Sequence, residues 1–76
     1  MELVIFHNFE YGGACYCLVG AFNCHNRCYV NAVFECDDNG RIIRHSSPIV
    51  VEEYYTIDEM YEKHKLFLKE NSRNER

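Results

Sequence analysis

The chain of 76 residues has no apolar run near the roughly 18 residues that a spanning helix needs; its longest, Ala14 to Phe22, is interrupted by a glycine. A membrane partner is therefore not expected. A positive n-region is missing as well: Met1-Glu2 leads into Leu3 to Phe6, which His7 and Asn8 cut short, so the reading is of a chain that starts here without a secretory signal. Basic charge is scarce, eight Lys and Arg against twelve Asp and Glu for a net charge of -4, which argues against direct nucleic-acid binding. Proline occurs once, and no repeat, low-complexity segment or linker interrupts a composition that is 47% hydrophobic. One α+β domain over residues 1–70 with a frayed polar tail at 71–76 is expected.

Motifs that name a chemistry are also lacking. Tyr11-Gly12-Gly13-Ala14 completes neither a P-loop nor a dinucleotide fingerprint, and His7, His25, His45 and His64 form no metal-binding pair spacing. His64, on an apolar helical face, reads as packed and not ligating. The acid pairs Asp37-Asp38, Glu52-Glu53 and Asp58-Glu59 are sequence neighbours, which suits solvation or capping better than a catalytic dyad. No catalytic residue and no cofactor is assigned on these grounds, and a cytoplasmic binding module is favoured over an enzyme.

What the chain does have is cysteine. Five thiols, an odd number, fit a reducing compartment better than a disulfide framework, so Cys15, Cys17, Cys24, Cys28 and Cys36 are read as free. The alternative is a zinc-stabilised module using Cys15, Cys17, Cys24 and Cys28. Its spacing is wrong, because structural zinc ligands come as C-x₂₋₄-C pairs with a turn between them, whereas Cys15 and Cys17 share one face of a strand. A nucleophilic Cys24 beside His25 is disfavoured too, since neighbouring side chains in extended structure point apart.

The elements follow from periodicity. Thr56-Ile57-Asp58-Glu59 has the pattern of a capping box, Tyr55 and Met60 have the spacing of a hydrophobic staple, and Ile57, Met60, Tyr61, His64, Phe67 and Leu68 line one face of a helix over residues 57–70. Upstream, β-branched and aromatic runs predict strands at 2–9, 14–22, 28–36 and 41–45, separated by Gly12-Gly13, by Asn23 to Arg27 and by the Asp-Asp-Asn-Gly turn at 37–40. A short extended stretch, Ile49 to Val51, leads to the helix. The fold class is a small antiparallel meander of about four strands with one C-terminal helix packed on one face.

A hairpin closed by Asn23 to Arg27 would pair Phe22 with Cys28, Leu18 with Ala32 and Cys15 with Glu35. One face would then carry Tyr16, Leu18, Phe22, Cys28, Val30 and Phe34 beneath the helix. Cys17, Val19, Ala21, Tyr29, Asn31 and Val33 would lie on the other, and one helix covers only one side. Those six residues are the candidate interface, for a protein partner or a homodimer, unless the stretch from Ile49 to Tyr55 folds across them. Charge is polarised, with ten acids against three bases over residues 1–62 and two against five over 63–76. The functional expectation is a small acidic inhibitor or adaptor that docks on a larger partner. In size and frugality it is similar to the small proteins, anti-CRISPR proteins among them, that phages and mobile elements make against host machinery.

Overall fold

The computed structural model describes residues 2–72. Four strands, β1 (Glu2–Tyr11), β2 (Ala14–Asn23), β3 (Cys28–Glu35) and β4 (Val50–Tyr54), form one antiparallel sheet in the order β1-β2-β3-β4, followed by the helix α1 (Ile57–Ser72). The α+β class read from the sequence is the observed one. Gly12 and Gly13 both adopt positive φ, 60° and 84°, as a two-residue type I′ hairpin requires, and Tyr11 pairs with Ala14 directly across it. β1 therefore runs two residues beyond its expected end.

The β2–β3 register differs from the expectation by one residue. Asn23 is not in the loop but pairs with Cys28, its Oδ1 accepting the His25 amide at 3.0 Å, and Arg27 closes a four-residue loop at φ 56°. Leu18 consequently faces Val33, Val19 faces Ala32 and Tyr16 faces Glu35. Because side chains alternate along a strand, a one-residue shift moves every β3 side chain to the opposite face relative to β2. One face carries Tyr16, Leu18 and Phe22 with Tyr29, Asn31 and Val33; the other carries Cys15, Cys17, Val19 and Ala21 with Cys28, Val30, Ala32 and Phe34.

The expected strand at 41–45 is not formed. Ile42 makes a single bridge to Cys36, the Ile43 amide donates to the Glu35 carbonyl, and the chain then turns at His45, φ 65°, with Ser46 Oγ donating to the Ile43 carbonyl at 2.7 Å. The fourth strand is Val50–Tyr54 instead, reached where the Ile49 amide donates to the Val33 carbonyl at 2.7 Å. The Asp37–Gly40 turn is as read: Asp37 Oδ1 accepts the amides of Asn39 and Arg41, Gly40 takes φ 81°, and those amides hold the Asp37 carboxyl below its usual range.

α1 starts where its cap predicts, with Thr56 Oγ1 accepting the Glu59 amide at 3.1 Å. The staple does not form, since Met60 is fully buried whereas Tyr55 is 92% exposed. The helix continues through Asn71, whose Nδ2 donates to the Phe67 carbonyl, to Ser72; the rest of the expected frayed tail, residues 73–76, lies outside the described residues. Met60 lies over Gly20 and Ile5, His64 meets His7, and Phe67 stacks edge-on to Phe9. The helix thus tracks β1, because four helical residues and two strand residues both advance about 6 Å.

Gly20 sets how closely the helix approaches: a Cβ there would sit 2.6 Å from Met60 Sδ and 2.7 Å from Ile5 Cγ2. Gly20→Ala should cost about 1–3 kcal/mol by overpacking, measured as a lowered denaturation midpoint. An unchanged midpoint would place the helix elsewhere.

Candidate functional site

Three features stand out: a polar chain under the helix, a thiol group on the opposite face, and an exposed apolar edge at β4. In the first, Asn31 Nδ2 donates to the Met60 carbonyl at 3.0 Å, which turns Asn31 Oδ1 toward His64 Nδ1 at 2.9 Å. Oδ1 can only accept, so His64 carries its proton on Nδ1 and presents the Nε2 lone pair to His7 Nδ1, 3.0 Å away. His7 in turn donates, and its own Nε2 belongs to an exposed side chain. His64 is completely buried, and burial, reinforced by His7, pushes its pKa down to about 4. The chain of donors is fully matched when His64 is neutral.

On the other face, Cys17, Val19, Ala21, Cys28, Val30 and Cys36 form a buried cluster flanked by Cys15 and Phe34. With α1 on the opposite side, the 36–49 connector supplies cover: Asn8 Nδ2 donates to the Gly40 carbonyl at 3.0 Å, and Gly40, Arg41 and Ile42 line one recess with Cys17 and Val19. The stretch from Ile49 to Tyr55 does not fold across this face, because most of it is β4. Burial raises the Cys17 and Cys28 thiols and drives Cys36 up to about 11, with its neighbour Cys15 adding to the effect.

The six candidate interface residues do not share a surface. Cys17, Val19 and Ala21 lie on the connector face, Tyr29, Asn31 and Val33 on the helix face, and all but Tyr29 are buried within the chain. The register shift is the cause. The alternative zinc ligands are likewise divided: Cys15 and Cys17 lie near the start of β2, whereas Cys24 and Cys28 lie at its far end, about 20 Å or more away along the strand. No three His, Cys, Asp or Glu side chains among the described residues are grouped to hold a metal. Cys24 and His25 sit in the exposed loop after β2.

No protein-family model, curated protein or solved structure matches the chain. Among the described residues no helix is long and apolar enough to cross a membrane.

Sequence reasoning missed the β4 edge. Ile49, Val50 and Val51 are 58%, 44% and 50% exposed, and Glu52 and Glu53 continue the same exposed strand. On the helix side a cleft of about 200 Å³ is floored by Leu18, Val33 and Val50 and walled by Tyr54 and Phe67. Tyr54 donates to Glu52 Oε1 at 2.8 Å, and burial, then that carboxylate, raises its phenol.

The lowered His64 pKa ties stability to pH. The unfolded chain takes up a proton near pH 6.5, the folded one only near 4, so stability should be full above about pH 6.5 and fall as pH drops toward about 4. Denaturation midpoints across that window, with the His64→Gln variant as reference, check this. An equal slope in the variant would assign the loss to other groups.

Proposed function

We propose that the chain is a protein-docking module, an inhibitor or adaptor and not an enzyme, which engages an extended segment of a larger partner along β4. The observation that carries this reading is the composition of that strand. β4 ends the sheet order, so one of its edges pairs with β3 and the other presents backbone donors and acceptors outward, beside exposed Val50, Val51, Glu52 and Glu53. Unpaired strand edges template the addition of another strand, with main-chain hydrogen bonds giving affinity and side chains giving selectivity. β1, the opposite edge, carries an irregularity between Leu3 and Ile5, a feature that blunts edges.

Charge decides between a second copy and a different protein. In a two-fold pairing of β4 with itself centred on Glu52, that residue would face its own counterpart on one side of the sheet, and the two Glu53 side chains would lie diagonal to each other on the other side, so like charges meet on both faces. A partner segment with apolar residues beside Val50 and Val51 and Lys or Arg beside Glu52 and Glu53 removes that repulsion and complements the further acids Asp58 and Glu59 in the first helical turn.

Selection from a library of displayed ten-residue peptides tests the proposal. Enriched sequences should set two adjacent β-branched residues next to two adjacent basic ones, slow amide exchange in β4, and lose about tenfold in affinity against the Glu52→Lys/Glu53→Lys variant. Selection without basic enrichment, or protection confined to β1, would overturn it.

A further inference from the structure

Cys36 follows the last pair of the β2–β3 ladder, Tyr16 with Glu35, and therefore stands opposite Cys15, to whose carbonyl its amide donates at 2.9 Å. Opposed residues of this kind have Cα atoms about 5.5 Å apart, inside the span a disulfide bridges. The Cys15 and Cys17 thiols both lie close enough to Cys36 to raise its pKa further. Cys17, however, is diagonal to Cys36, at about 7–8 Å, beyond comfortable bridging distance. Cys15 and Cys36 also share the wall of an open recess with Glu10, Asp37, Asp38 and Gly40, whereas Cys17 is buried away from it.

From this arrangement we infer that Cys15 and Cys36 are an oxidisable dithiol, closed by a small uncharged peroxide into a cross-strand disulfide that staples β2 to the root of the 36–49 connector. The acids around the recess disfavour anionic oxidants such as glutathione disulfide and leave hydrogen peroxide unimpeded. Cys15, half-buried where Cys36 is 8% exposed, is the sulfur that meets the oxidant. Its thiolate attacks one peroxide oxygen, the O–O bond breaks, and the departing hydroxide takes up the thiol proton as water, leaving a sulfenic acid on Cys15. The Cys36 sulfur then displaces the sulfenic oxygen: the S–S bond forms, the S–O bond breaks, and the oxygen leaves as a second water carrying the Cys36 proton. Two sulfurs have lost two electrons to one peroxide. Because burial holds Cys36 as a thiol at neutral pH, ring closure should quicken as pH rises.

Treating the full chain with hydrogen peroxide and mapping it without reduction tests the inference, since cleavage after Tyr16 separates Cys15 from Cys17. The expected product has lost two hydrogens, links the Cys15 peptide to the Cys36 peptide, and unfolds at a higher temperature than the reduced chain. In Cys36→Ser, Cys15 should instead be trapped as a sulfenic acid by a diketone reagent; in Cys15→Ser, no internal link should form. Oxidation confined to exposed Cys24, or a link from Cys36 to Cys17, would overturn the assignment.

Discussion

The pairing of Asn23 with Cys28 is the constraint on which the rest of the molecule depends. It is held locally, by the Asn23 side chain bonding the His25 amide and by Arg27 accepting a left-handed conformation. From it follow the placement of Leu18 and Asn31 beneath the helix and that of Val19 and Val30 beneath the connector. In a chain this short, hydrophobic burial is limited, and both faces of the sheet are used as interior. The helix contributes Met60 and His64 to one side; a connector with little regular structure closes the other.

A buried polar chain inside so small a core needs complete pairing, because an unmatched amide or imidazole there costs about 1–3 kcal/mol. Asn31 meets the requirement by bonding both the helix backbone and His64, which positions α1 as well as satisfying the polar atoms. The arrangement leaves His7 at the surface and the acidic strand β4 at the sheet margin. The docking reading proposed above rests on that exposed strand.

Much of this was legible in the sequence. Thr56 and the 3.6-residue apolar period located the helix, Gly12-Gly13 and Asp37–Gly40 located two turns, and runs of β-branched and aromatic residues located three strands. The register was not legible, because Asn23 reads as a loop residue while it serves as both the last paired residue and the loop's acceptor. β4 was not legible as a full strand because Val50-Val51-Glu52-Glu53 has no alternation; four of its five residues are exposed, so nothing imposes one. Arg41–His45, with two isoleucines between arginines, has the composition of a strand but is turned aside at His45. The candidate interface rested on the first of these: shifting one strand by one residue joined three residues of each face, and the helix and the connector bury all of them but Tyr29.

Backbone proton contacts between the two central strands test this account most directly. A nuclear Overhauser spectrum of the full chain should show Leu18 Hα close to Val33 Hα and Phe22 Hα close to Tyr29 Hα. Contacts from Leu18 to Ala32 and from Phe22 to Cys28 in their place would restore the other register, return Asn31 to the opposite face from Leu18, and contradict the two-sided core.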